Sequence, residues 1–255
     1  MKKITFIISI LFILSNLSAH CDGCGTKTEH AHGTLKGNVK YDGPVPKARP
    51  LKMDADPVCG ASHTEKMLSE SFIVDDNKNL KNVLVWLKNA SYDGPILNEP
   101  AILDQKGCIY KPHVLGIMKD QKVIIKNSDA TLHNIHSMAE KNEQFNFAMP
   151  KVVKEKETSF TKVEDPFYIK CDVHPWMKSW VIVQDHPYFS VTDENGNYSI
   201  ENIPPGKYEV VFWQERLSNV DEKKYILQSS TLKIDITDNK NTTQNFTFTK
   251  PQKIE

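Results

Sequence analysis

The chain has 255 residues, 32 acidic and 32 basic, and so no formal net charge. That length suits one large or two modest domains with cores of their own, and the even charge balance gives no electrostatic bias toward nucleic acid. Five cysteines, at positions 21, 24, 59, 108 and 171, leave an odd thiol over after pairing within the chain.

Met1-Lys2-Lys3, the apolar run Ile4 to Leu14 and Ser15 to Ala19 predict a secretory signal peptide over residues 1–19, cut after Ala19. The run is too short to span a bilayer. No transmembrane segment is therefore expected in the mature chain, which would be periplasmic or secreted. Acylation of Cys21 as a lipoprotein is the lesser alternative, because Ser18 and His20 depart from the residues such a motif wants. Residues 20–33 form a polar, aperiodic tail carrying His20, Cys21, Cys24, His30 and His32. It reads either as a copper- or zinc-binding tract or as a solvated leader with one small disulfide loop.

Residues 34–97 begin with β character at Thr34 to Tyr41, closed by the turn Asp42-Gly43-Pro44. Further strands are expected at Ser71 to Val74 and Val83 to Leu87; the second, Val-Leu-Val-Trp-Leu, is apolar on both faces, as a strand buried in a sandwich is. Residues 98–185 hold eight short strand candidates and almost no helical periodicity: Ala101–Leu103, Val114–Met118, Val123–Lys126, His133–Ser137, Gln144–Ala148, Thr158–Val163, Tyr168–Cys171 and Trp180–Val183. Short strands between turn residues argue a Greek-key β-sandwich, an all-β class.

Within this region Cys171, His174 and Met177 stand on one tight loop. Phe167, Ile169 and Cys171 alternate along a strand and share a face, and Pro175 stops the ladder, so a compact turn can aim the three donors at one point. Thiolate, imidazole and thioether form a soft set suited to copper, and a histidine from elsewhere would complete a His2Cys plane with a weak axial Met. His133, just past the polar turn Asn127 to Leu132, supplies it. With Cys171 kept for metal, the local pairings of the other cysteines are Cys21 with Cys24 and Cys59 with Cys108, although sequence leaves connectivity open. Were Cys59 and Cys108 reduced, His63 and His113 near them would offer a second metal centre. His136, three residues beyond His133, falls on the opposite face of its strand. Asn127 and Asp129 read as turn formers.

Cys171-Asp-Val-His174-Pro-Trp-Met177, with His133-Asn134 upstream, resembles the ligand loops of the blue copper proteins, or cupredoxins, and among them the short amicyanin-like loop. The wider context, including Cys108-Ile-Tyr-Lys-Pro-His113, is similar to larger cupredoxin proteins of the methylamine-utilisation type. The resemblance implies one type 1 copper site with His133, Cys171 and His174 as equatorial ligands and Met177 axial. It also implies that Asn134 ties the two ligand loops together and donates toward the sulfur, and that the protein carries single electrons between exported redox proteins. Pro175 and Trp176 would then rim a surface-exposed His174 as docking patch and electron port. No substrate chemistry is implied. A copper-binding or copper-delivery protein without a redox partner is the alternative.

Residues 186–250 change character. Asn195-Gly196 marks a hairpin and Ile203-Pro-Pro-Gly206-Lys-Tyr208 leads into a strand from Tyr208 to Trp213, with alternating runs at Thr231–Thr237 and Asn245–Thr249. These features resemble the prealbumin-like sandwich called the carboxypeptidase regulatory-like domain. Because that fold begins with strands like those of residues 34–97, one discontinuous sandwich, 34–97 plus 186–250, is expected with the copper domain inserted. Two domains in tandem is the alternative.

Overall fold

The computed structural model describes residues 32–254. The expected signal peptide, the lipoprotein alternative and the residues His20, Cys21, Cys24 and His30 lie outside the described residues. What is described is nearly all β, with two short helices, Pro57–Ala61 and Glu215–Ser218. No helix among the described residues is long and apolar enough to cross a membrane.

Two pairs of sheets enclose two cores. In the first pair, Gly33–Asp42 lies between Asn197–Ile203 and the consecutive parallel strands Asn241–Thr243 and Phe246–Thr249. The opposing sheet runs Phe189–Val191, Leu84–Lys88, Gly206–Trp213, Thr231–Ile236. Glu209 to Trp213 pairs antiparallel with Leu84 to Lys88, so strands from before residue 98 and after residue 186 are hydrogen-bonded neighbours. Leu35, Val39, Val85, Leu87, Val210, Phe212 and Phe246 fill the core between these sheets.

The second pair is built from the intervening residues. A five-stranded sheet runs Val114–Met118, Lys178–Gln184, Glu164–Lys170, His133–Ser137, Asn146–Met149, and a four-stranded sheet runs Tyr110–Lys111, Ala101–Gln105, Val123–Asn127, Glu155–Thr158. Between them lie Leu103, Ile117, Ile125, Ile135, Phe167, Ile169 and Val181, which are the inward positions of the period-2 pattern. A smaller apolar cluster, with Leu84, Trp86, Val114, Ile182 and Trp213, joins the two pairs of sheets.

Two expected strands differ. Ser71–Val74 forms no strand, only an isolated bridge from Val74 to Leu80. At its start side chains take the place of a ladder, with Gln214 donating to the Ser71 carbonyl and the Ser71 amide to the Ser69 hydroxyl, and the Ile73 carbonyl accepts from the Lys81 amide. The strand expected over Thr158–Val163 is Glu155–Thr158. Beyond Thr158 the Asn142 side chain bonds both the amide and the carbonyl of Lys162, and this takes that residue out of any ladder.

Candidate metal centre

The loop that carries the donors follows the strand Glu164–Lys170. Phe167 and Ile169 point into the core, and Cys171, one step past the strand end, stays on that side and is 2% exposed. The loop is pinned at its base, where the Met177 amide donates to the His174 carbonyl at 2.9 Å and the Cys171 amide to the Met177 carbonyl at 3.3 Å. The chain then returns antiparallel as Lys178–Gln184. His133 opens its strand, and that strand pairs with Glu164–Lys170 through His136 and Ser137, so the upstream histidine is brought to the base of the loop.

The His133 and His174 Nδ1 atoms lie 2.9 Å apart, and the Cys171 Sγ is 3.7 Å from the His174 Nδ1. Donors held about 2.0 Å (nitrogen) and 2.3 Å (sulfur) from one ion are about 3–4 Å apart, so the three fit a single first-row cation. His133 and His174 are 0% and 1% exposed. Met177 is buried in the same core cluster as Cys171. Burial lowers the basicity of His133, but its hydrogen bonds to Asp129 and Cys171 prevail and lift its pKa to about 9. Burial likewise pushes the Cys171 thiol up, yet the bond from His133 and the backbone amides of Asn134, His174 and Val173 bring it below its ordinary value. His174 is held low, first by burial and further by the charge of His133, against the pull of Asp56. A metal ion held by this set would displace the protons from the Cys171 thiol and from the imidazole beside it.

Asn134 does join the loops, but in another sense than expected. Its Oδ1 accepts from the Asp172 amide at 2.7 Å and from the Cys171 Sγ at 3.2 Å, while its Nδ2 donates to Asn146 and Asp172. Donation toward the sulfur falls to its backbone amide instead.

His174 is not at the surface. Its Nε2 meets the Asp56 Oδ2 at 3.1 Å and lies 3.7 Å from the Cys59 Sγ. Cys59 and Cys108 are joined in a disulfide, both fully buried, and this removes the thiolates that a second centre with His63 or His113 would need. His63 bonds the Gly107 carbonyl, and His113 faces Glu215 at 3.4 Å. His136 leaves the cluster and pairs with Asp172. Pro175 is exposed, and Trp176 is half-buried with its ring centroid 5.0 Å from that of His174 and its Nε1 donating to the Cys108 carbonyl. Both line a cavity of about 590 Å³, together with Leu51, His113, Trp180 and Glu215.

Two carboxylates escape a reading by spacing. Asp129, read as a turn former, also meets the His133 Nε2 at 2.9 Å, and Asp56 stands 118 residues from its histidine. The pair Asp56-Pro57 is a helix-start signal. Beside Cys59, that signal marks Asp56 as fixed in place, though not by what.

No protein-family model matches the chain, and no curated protein matches it. Solved structures to which parts of it are similar include a copper-containing nitrite reductase from Thermus scotoductus SA-01, at 20% identity and TM-score 0.32, over 39% of this chain and 26% of that one. An oxidised amicyanin variant matches at 19% identity and TM-score 0.31, over 46% of this chain and 94% of that one. A purple cupredoxin from Nitrosopumilus maritimus matches at 24% identity and TM-score 0.28, over 33% and 99%.

Proposed function

We propose that the chain is an exported type 1 copper protein of the cupredoxin kind, carrying single electrons between redox partners and performing no substrate chemistry. The observation that supports this is the meeting of two imidazole Nδ1 atoms and one thiol sulfur, buried and within 4.8 Å of one another; Met177, buried in the same cluster, would be the fourth and weakest of the residues holding the ion. Copper, when bound to such a set, supplies a one-electron couple. The chain's own residues do the rest. Asn134 and the bonded loop base fix Cys171 and His174 on one side, and the strand pairing fixes His133 on the other, so the donors need move little between oxidation states. Their burial excludes water. With His174 covered, Trp176 is the side chain that leads from its ring to open space, and Pro175 and Trp176 form the contact for a redox protein; docking patches of this kind are small. The first pair of sheets, a carboxypeptidase regulatory-like sandwich in this reading, acts as scaffold.

Copper loading of the purified chain tests this. An intense thiolate-to-copper absorption band and a reversible one-electron wave in voltammetry are expected, and Cys171→Ser should abolish the band while the circular dichroism of the β fold persists. A colourless copper-loaded protein would remove the electron-transfer reading. Copper passing to a competing chelator without a reversible wave would favour delivery instead.

A further inference from the structure

The two histidines turn their Nδ1 atoms toward each other, and each presents its Nε2 to a carboxylate. The His133 Nε2 is 2.9 Å from the Asp129 Oδ2, and the His174 Nε2 is 3.1 Å from the Asp56 Oδ2. Each carboxylate is in turn anchored to the backbone at one half of the disulfide. Asp56 caps the helix Pro57–Ala61, its Oδ1 accepting from the amides of Val58 at 2.7 Å and Cys59 at 3.2 Å. Asp129 accepts from the amides of Gly107 at 2.7 Å and Cys108 at 2.8 Å. Thr131 closes the ring by donating to the Asp56 Oδ2 at 2.9 Å. The Cys59–Cys108 bond spans 49 residues of sequence and brings the two anchoring segments together behind the two imidazoles.

A carboxylate on the far nitrogen of a ligating imidazole fixes its tautomer and raises its basicity. Negative charge close to an ion favours its higher oxidation state, and the partial burial of Asp129 and Asp56, with side chains 10% and 20% exposed, weakens part of the solvent screening that would oppose this. Asp56 belongs to neither sheet pair, so its position depends on the disulfide, the helix cap and Thr131.

We propose that Asp56 and Asp129 are positioning residues for the two imidazole ligands, that the Cys59–Cys108 disulfide is the clasp that holds them there, and that the charge of Asp56 keeps the reduction potential of the centre low. This rests on the copper reading given above. Asp56→Asn removes the charge and keeps one oxygen to accept from the Val58 and Cys59 amides, while an amide nitrogen replaces the oxygen that faces the His174 Nε2. The expected result is a shift of about tenfold in relative affinity toward Cu(I), an upward move of about 59 mV for one electron, with the thiolate-to-copper band retained. Asp56→Glu should restore most of the wild-type potential. Cys59→Ser with Cys108→Ser should move the potential in the same direction, and adding Asp56→Asn to that background should then change it little, because the carboxylate has already left.

The metal-free chain gives a separate readout. The His174 Nε2 proton should exchange slowly in nitrogen-15 NMR of the wild type and rapidly in the double serine variant. Slow exchange in both would overturn the clasp. Copper-loaded Asp56→Asn with an unshifted potential would overturn the electrostatic role and leave the copper reading standing. A wild type that binds no copper would overturn that reading, and with it the potential-setting role, while the proton exchange still decides the positioning.

Discussion

At the scale of single residues, the centre depends on Asn134 as much as on the donors. One buried amide accepts from the Asp172 amide and the Cys171 Sγ and donates to Asn146 and Asp172, so truncation leaves the amide of Asp172 without its partner. Asn134→Ala should cost about 2 kcal/mol, measured as a lower urea midpoint; an unchanged midpoint would mean that water takes over these bonds. Asn134 was legible because it adjoins His133, just as Cys171, His174 and Met177 were legible because one loop carries them all. Asp56 was not. Its partnership with His174 crosses 118 residues and is fixed by a disulfide whose pairing sequence leaves open. Asp129 reads as a turn former in sequence, and in the fold its carboxylate takes the amides of Gly107 and Cys108, in a different loop. Nothing in that role announces the third bond, to His133.

At the scale of elements, strands that bury one face were readable from alternation, as Phe167, Ile169 and Cys171 illustrate. Glu155–Thr158 was not, because its burial alternates only between exposed and partly buried and its charged residues suit a sheet edge. The central strand Gly33–Asp42 holds a more demanding feature. Along one side it changes partner from Asn241–Thr243 to Phe246–Thr249, and Gly37 sits at the change, where a Cβ would lie 1.9 Å from the Gln244 carbonyl oxygen. The atoms met first are backbone, so no rotamer change relieves the clash. Gly37→Ala should therefore cost about 3 kcal/mol, seen as a lower melting temperature, and a melting temperature equal to wild type would show that the partner strand can move.

At the scale of the whole molecule, two strands that are apolar on both faces hold the sheet pairs together. In Lys178–Gln184, Val181 and Val183 enter the core beside the donors, while Trp180 and Ile182 turn outward to Leu84, Trp86 and Trp213. In Leu84–Lys88 the same division recurs, with Val85 and Leu87 inward and Leu84 and Trp86 toward the junction. The run Val83 to Leu87 shows this two-sided pattern in sequence, and Trp180 to Val183 shows it as well; both report burial on two sides without saying that each strand faces the other. The Trp180 and Trp213 rings lie 4.9 Å apart, edge to face, and Gly116 leaves room for the Phe189 ring where a Cβ would come within 2.4 Å of it. Because Lys178–Gln184 resumes directly after the donor loop, docking of the first sheet pair stiffens the strand from which that loop hangs. Ile182 is fully buried in the junction, and an aspartate there would bring an unpaired charge into it, at a cost of several kcal/mol. With the junction intact, calorimetry of the wild type should show one cooperative transition. Ile182→Asp should split it into two, with the copper-dependent shift in melting confined to one of them, since a ligand stabilises only the unit that binds it. A single transition that persists in this variant, merely lowered, would place the coupling of the two units in the disulfide-linked segment around Cys59 rather than in the junction.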